Sequence, residues 1–474
     1  MAFDVAIIGA GMSGLAAAIR AGMAGRRTVV LERHAVWGGL NSFFKKGGHH
    51  FDTGLHAVTN YLPPGQKGPR GPNAQRLPLD RVFRQLRVRH EDFALDPQTS
   101  SRVVFPEATL TFENGLERLT DELARHFPTQ VDGFLRLAAA LETYPDALAA
   151  PAFTSARARM AEHLDDPLLI DMLLCPLLFY GSPAEHDLDA DQLSILFNSI
   201  YREGFSRPRD GVKTIIRALV RRAKQEGVEL RMRSGVASIE VEGGRVSALL
   251  LESGERLEVS TVISTAGRVE TSRMRSDRES EPPSELAGVL AFTETSLVLD
   301  APPKDLGVTH AITFLSRTPR FRWARPDVPV DTTSAVICCP SNFAHDPPIP
   351  QNLLRITHLA DQRFWFSRSG DEYAKDKERF IRTSLDALAP FLGDTPRHVT
   401  YVDSFTPRTI TRYTGHVNGA VYGSPKKAKD GRTDLPNLFL AGTDQGLLGI
   451  VGAMVSGISV ANQLTMRSAR TPDG

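Results

Sequence analysis

The chain has 474 residues, 41% hydrophobic and 23% charged, with a formal net charge of +1. That length supports two domains and a large core, while the charge balance gives no whole-chain argument for nucleic-acid binding. Three cysteines, Cys175, Cys338 and Cys339, provide neither a disulfide framework nor a CxxC metal spacing, so a reducing, cytoplasmic compartment is the simple reading. The apolar N-terminus lacks a basic n-region and carries Asp4, which speaks against a signal peptide. No run reaches the roughly 18 uncharged apolar residues of a membrane span.

In chain order, Phe3–Ile8 is predicted as a short buried strand. The turn Gly9-Ala-Gly-Met-Ser-Gly14 follows, then an Ala-rich helix over 15–24 and a second strand over 28–31 ending in Glu32. This order, with the acid about twenty residues after the glycines, is what a dinucleotide fold needs. Gly9 permits the tight turn, Gly11 lets a diphosphate approach the backbone, and Gly14 lets the helix pack on the strand. The helix N-terminus then faces the diphosphate, with Ser13 in its first turn. Glu32 can accept hydrogen bonds from ribose hydroxyls and would repel a 2′-phosphate, which disfavours NADP.

Beyond Glu32 and Arg33, the pair Gly38-Gly39 clears space beside the diphosphate. The pattern resembles the FAD-binding amine oxidase superfamily, in which such a pair lies along the flavin nucleotide. Many members continue with Arg, whereas this chain has Leu40-Asn41. That departure points away from the amine oxidases proper and leaves room for the phytoene desaturase, carotenoid isomerase and retinol saturase branch. The resemblance implies FAD as cofactor, with Arg33 and Leu40 among its contacts.

Three histidines and an aspartate fall within 49–56 and raise the question of a metal site. His49 and His50 are neighbours and would point to opposite faces of a strand. A loop reaching the flavin ring is the better reading, with no metal. Phe51-Asp-Thr-Gly-Leu-His56 resembles the Phe-Asp-x-Gly segment of the same family. That resemblance implies that Gly54 and His56 lie near the flavin.

Pro63–Asn73, rich in Pro and Gly, is predicted as a surface loop and a candidate lid. Residues 77–200 read as mixed strand and helix, with amphipathic helices at Leu116–Phe127 and Phe134–Leu148. Leu168–Tyr180 is predicted as a buried helix lining a substrate cavity, with a membrane-dipping lipid entrance as the sharper alternative. Asp210–Gly227 is a helix with Gly227 at its C-terminal end. A run of strands follows from Val228 to the turn Thr265-Ala266-Gly267. The resemblance implies that Val236 contacts the adenine through its backbone and that the turn at Ala266 passes near the diphosphate. Arg317–Arg325 interleaves four arginines with Phe321 and Trp323. The plain expectation there is a solvated loop, with an interfacial membrane contact and a nucleic-acid patch as alternatives.

Thr406–Gly423 resembles the segment shortly before the last flavin motif in carotenoid isomerases and retinol saturases, which makes His416 and Tyr422 candidates to face the ring. Leu435–Asp444 reads as a final strand ending in Gly442 and Asp444. A helix then opens near Gly449, Ile450, Val451 and Gly452 and runs to about Leu464. Its positive end would favour an anionic reduced flavin, and Asp444 would sit near the ribityl or the diphosphate.

The expected fold is α/β: a Rossmann-type FAD domain from 1–60, 205–290 and 401–470, with an α+β substrate domain inserted as 61–204 and 291–400. The resemblance implies an FAD-dependent oxidoreductase acting on an apolar isoprenoid or polyene lipid by hydride exchange, with His56, His416 and Tyr422 as catalytic candidates. The expected partner is that lipid and no nucleic acid, with peripheral membrane contact an additional expectation. Neither the direction of reaction nor the electron acceptor is specified by the residues. A flavin amine oxidase, an NAD-dependent dehydrogenase and a non-catalytic flavin-binding protein are the alternative classes.

Overall fold

The computed structural model describes residues 2–65, 77–143 and 153–468. The part of the expected loop beyond residue 65, and of the expected second helix beyond residue 143, lies outside the described residues. Two seven-stranded sheets organise the fold.

In the first sheet, Phe3–Ile8 lies parallel between Thr28–Leu31 and Arg256–Ser264, with Val5 beside both Thr28 and Thr261. Glu229–Arg231 and Leu438–Leu440 extend it on either side, also in parallel. The strands Val236–Glu242, Arg245–Leu251 and Arg256–Ser264 form an antiparallel meander that shares the last of them. Val-, Ile- and Leu-rich runs such as Val5–Ile8 and Thr28–Leu31 suit strands covered on both faces. Val5, Ile7 and Val30 pack against the helices Met12–Met23, Lys213–Gln225 and Gly449–Ser468. Ala6, Ile8, Val29 and Leu31 pack with Ile239, Leu249 and Val259 of the meander. Small residues set how close the layers come. A Cβ on Gly14 would stand 2.1 Å from the Gly9 carbonyl, and one on Gly457 would stand 2.0 Å from the Ser13 carbonyl.

The second sheet runs Val399–Phe405, Ala291–Leu299, Leu353–Ala360, Ser334–Cys338, Ile312–Ser316, Ser101–Val104, Thr109–Phe112. All nine residues of Ala291–Leu299 are buried, because paired strands flank it on both edges. One face carries Phe292 and Phe314 against Pro167–Gly181 and neighbouring helices, and the other carries Leu297, Ile337 and Ile356 toward Leu388. The strand Val399–Phe405 crosses residue 401, and Leu79, Val82, Phe93 and Leu95 pack with the core of the first sheet.

Several local expectations are met with shifted ends. Glu117–His126, Pro167–Gly181 and Lys213–Gln225 are helices, and Gly227 follows the last with φ of 72°. Asp166 caps Pro167–Gly181 by accepting from Leu168 N–H at 2.8 Å, and Asp171, facing inward, is paired with Arg157. Two expectations are corrected. His49–Asp52 is a strand paired with Phe43–Lys46 rather than a loop, since Gly47-Gly48 makes a hairpin turn there. In Arg317–Arg325 the aromatics do not face solvent or a membrane: Phe321 is 7% exposed and Trp323 1%, because both rings pack around Phe179. Among the described residues no helix is long and apolar enough to cross a membrane.

Candidate active site

The glycine motifs, far apart in sequence, meet at the carboxyl ends of the parallel strands. Gly11 pairs with Gly38, and a Cβ on Gly39 would stand 3.4 Å from the Gly11 Cα. One on Gly9 would stand 2.5 Å from the Thr265 hydroxyl, next to Ala266, and one on Gly442 would stand 3.0 Å from the Ser13 hydroxyl. Gly38 and Gly39 have φ of 115° and 59°, the left-handed region that favours glycine. The helix Met12–Met23 starts at Gly11 with no side-chain cap, so its first amides are presented by the backbone alone. A Cβ on Gly11 would find nothing nearer than the Gly38 carbonyl at 4.0 Å, and one on Gly449 nothing within 4 Å. Uncapped amides and open glycine surface at a strand–helix junction fit an extended diphosphate. Glu32 is 9% exposed, and its carboxylate accepts the Ala10 and His34 amides, each at 2.8 Å. Each oxygen keeps a second lone pair for a ribose hydroxyl. The Arg33 guanidinium lies 2.8 Å from where a Cβ on Gly415 would stand. Val236 opens the meander after Ser234, whose amide bonds the Glu32 carbonyl at 2.8 Å.

A second group of residues surrounds His56. Its Nε2 lies 3.0 Å from Glu294 Oε2 and 2.9 Å from Thr357 Oγ1. Thr357 donates to Glu294 Oε2 at 3.0 Å, and Arg355 donates to Glu294 Oε1 through Nε at 2.8 Å. The register explains the cluster. Glu294 sits opposite Thr357 in the antiparallel pair, and Arg355 is two residues along the same face. Arg207 Nη1 donates to the Leu55 and His56 carbonyls at 2.9 and 2.7 Å, and its other end pairs with Asp52. Burial works against ionisation of Glu294, but the Arg355 charge and the His56 hydrogen bond outweigh it and hold the carboxyl at about 2. Burial pushes the His56 imidazole below its ordinary value. Glu294 opposes that push, and Arg355 and Arg207 add to it.

Tyr422 belongs to an aromatic wall. Its ring lies 5.9 Å from Phe292 and 6.4 Å from Trp323, and Phe179 closes on Trp323 at 5.1 Å. Phe292 is two residues from Glu294 on one strand, so the wall and the His56 cluster share a face. The Tyr422 hydroxyl donates to the Phe179 carbonyl, and burial pushes its pKa up.

His416 stands apart from both. It lines a small cavity with Glu270, Gly288, Ser424 and Asp444, its Cε1 3.5 Å from where a Cβ on Gly267 would stand. The Asp444 carboxylate accepts the backbone amides of Ser424, at 2.6 Å, and Arg268. Lys427 lies behind it, 3.9 Å away, donating to the Tyr422 carbonyl at 2.6 Å, and burial lowers its pKa to about 8. Ile450 and Val451 point into the core at 5% and 0% exposure, leaving only their backbone to face outward. Gly452 faces its own loop, a Cβ there meeting the Leu447 carbonyl carbon at 3.0 Å.

The three catalytic candidates therefore do not form one cluster. The residues the sequence reading missed are Glu294, Arg355, Thr357, Arg207 and Lys427. Gly54, with φ of 61°, and the Leu40 carbonyl that its Cβ would meet at 2.7 Å hold the turn leading to His56.

Residues 12–465 match the model of the family described as flavin containing amine oxidoreductase. A phytoene dehydrogenase of Streptomyces griseus is 29% identical over 286 residues, 55% of this chain and 54% of that one. A 4,4'-diapolycopene oxygenase of Methylomonas sp is 26% identical over 92% of this chain and 93% of its own. The solved structure of putrescine oxidase bound to putrescine superposes with a TM-score of 0.63 at 16% identity, over 98% of this chain and 100% of the other.

Proposed function

The chain belongs to the flavin containing amine oxidoreductase family and uses FAD, and from that premise we propose that it transforms an apolar isoprenoid or polyene lipid. Bound FAD supplies reversible two-electron exchange as hydride. The observation that carries the substrate reading is the shared face of Ala291–Leu299: an aromatic wall of Phe179, Phe292, Trp323 and Tyr422, with His56 at its edge. Phe179, Phe292 and Trp323 are buried against one another and leave the partly buried Tyr422 ring at their margin. An aromatic edge of this kind suits a conjugated or methyl-branched chain, whose burial is driven by apolar area. Relatives named for phytoene and diapolycopene support the same class.

The backbone of Gly9, Gly11, Ser13 and Gly14, with Gly38, Gly39 and Leu40, would hold the diphosphate, and Glu32 the ribose. Arg33, Val236 and Ala266 would border the nucleotide end. Gly442, Asp444, Gly449 and the backbone of Ile450 and Val451 would lie along the flavin, with Gly54 opposite. The first sheet would then be the core of the FAD domain and the second that of the substrate domain. Desaturation removes a hydride and a proton from neighbouring carbons, and saturation reverses this. His56 accepts or returns that proton. Tyr422 acts through its ring, since its hydroxyl is engaged with a carbonyl. His416 contributes to the diphosphate side.

A second reading, an amine oxidase-type enzyme on another small apolar substrate, is favoured by the neighbouring rings of Trp323 and Tyr422, tilted 41° to each other, and by the putrescine oxidase fold match. Anaerobic titration decides between them. Isoprenoids and primary amines are added separately to oxidised and to prereduced enzyme while the flavin band near about 450 nm is followed. Bleaching or recovery of the band with a polyene is expected. Bleaching by amines with no response to any isoprenoid would replace the first reading with the second.

A further inference from the structure

We propose that Glu294 is a positioning residue that fixes His56 in the tautomer with Nε2 protonated, leaving Nδ1 as the proton-accepting atom. The inference rests on His56 acting as proton acceptor or donor, and it adds which nitrogen acts and what holds it there.

Counting protons leads to this assignment. The Thr357 hydroxyl has one proton and gives it to Glu294 Oε2 at 3.0 Å. Glu294 is an ionised carboxylate whose other oxygen takes two bonds from Arg355, at 2.8 and 2.5 Å, and the two side chains are 3% and 2% exposed. Both neighbours of His56 Nε2, at 3.0 and 2.9 Å, are therefore acceptors, so Nε2 must carry the hydrogen. Among the described residues Nδ1 has no hydrogen-bond partner, while 17% of the side chain remains accessible. A doubly protonated ring is disfavoured by the charge count. Glu294 and Asp52 are balanced by Arg355 and Arg207, so a protonated His56 would be the uncompensated charge in a buried cluster. The main chain is held as firmly as the ring. Arg207 and Arg355 both donate to the Leu55 carbonyl, and Arg207 and the Cys338 thiol donate to that of His56.

The groups that set this titration are Glu294, Arg355 and Thr357 on the facing strands, Arg207 with Asp52 behind it, and the Cys338 thiol on the His56 carbonyl. Within this set the Glu294 carboxylate favours the protonated ring and the two guanidiniums oppose it. Removing the carboxylate therefore moves the His56 titration to lower pH.

The test needs no substrate at its first stage. Flavin-loaded protein is labelled with 15N-histidine, and His56 is identified by the signal lost in His56→Gln. Long-range proton–nitrogen spectra near neutral pH are expected to show a protonated Nε2 and an unprotonated Nδ1. A ring protonated at Nδ1, or at both nitrogens, would overturn the proposal. At the second stage, Glu294→Gln should retain flavin and lower kcat by about tenfold or more with little change in KM. The ascending limb of its pH profile should move to lower pH, and Glu294→Asp should recover part of the rate. If Glu294→Gln fails to fold because Arg355 is left unpaired, Glu294→Gln/Arg355→Met removes both charges. Wild-type tautomer and kcat in whichever of these variants folds would also overturn the proposal. An unsuccessful search for an isoprenoid substrate would count against the proposed function and leave the tautomer result untouched.

Discussion

The two sheets hold their polar chemistry in opposite ways. At the crest of the first, the groups brought together are backbone: the turns Gly9–Gly14 and Gly38-Gly39, with Gly442 folded against Ser13. On the face of the second, they are side chains: His56, Glu294, Arg355 and Thr357 converge from three separate stretches. A backbone site can be built from a few residues in a row, because amides exist everywhere and only space must be cleared for them. A side-chain site needs strand register to bring charges into contact. The first kind of site tolerates many surface changes but no added atom at its glycines. The second tolerates modest packing changes but no unbalanced charge.

The largest expected effect breaks the second region. Arg355→Met leaves the Glu294 carboxylate buried with one strong partner fewer, and removing one member of a buried pair costs about 3–5 kcal/mol. Chemical denaturation should show that loss, and Glu294→Leu/Arg355→Met should recover more than half of it. A single variant as stable as wild type would mean that water reaches Glu294. Next in size, Gly14→Ala breaks the first region. Its methyl would stand 2.1 Å from the Gly9 carbonyl, so the helix Met12–Met23 must move from the strand. The cost is about 1–3 kcal/mol, and the flavin-to-protein absorbance ratio of the purified protein should fall by more than about half. Full flavin content there would show that the helix can shift without opening the cradle.

The same contrast separates what is legible in the amino-acid sequence from what is not. Gly9, Gly11, Gly14, Glu32, Gly38, Gly39 and Gly442 follow from local pattern, since each motif is a strand, a glycine turn and a helix within a short stretch. The parallel sheet, its helices and the buried helix Pro167–Gly181 follow from periodicity. His56 is visible in the sequence as a residue but not as a site, because Glu294 and Thr357 are 238 and 301 positions away. Glu294 in Ala291–Leu299 looks like an ordinary charge in an apolar strand until Leu353–Ala360 is placed beside it in register. The aromatics of Arg317–Arg325 mislead for a related reason. Interleaved Arg and aromatic residues read as a surface patch, whereas Phe321 and Trp323 turn inward around Phe179.

Acid sharpens the comparison with a smaller effect. Burial pushes His56 and His358 below the ordinary 6.5, so the unfolded chain takes up protons first as pH falls through 6.5, and the native state loses stability. Glu294 continues the trend: the unfolded carboxyl protonates through 4.5, whereas the folded one stays ionised to about 2. The melting temperature should fall steadily from pH 7 to pH 4. In Glu294→Leu/Arg355→Met the fall below pH 4.5 should be shallower, and an unchanged slope would remove Glu294 from the acid response.

The smallest expected effect tests where the second region stops being polar. Tyr422 sits on the same face as His56, yet its hydroxyl is spent on the Phe179 carbonyl and its pKa is pushed up by burial. A phenol held in that way neither donates nor accepts the proton removed from a substrate near neutral pH. Tyr422→Phe keeps the ring and removes one hydrogen bond, so stability should fall by about 1 kcal/mol while the rate of flavin bleaching by substrate stays within a few-fold. Tyr422→Leu removes the ring as well and should raise KM more than it lowers kcat, because under the proposed function the wall would bind the chain in its ground and transition states alike. A large loss of kcat in Tyr422→Phe, with flavin still bound, would move the proton chemistry from His56 to the phenol. The division between an ionic cluster that handles the proton and an aromatic wall that only binds would then fail.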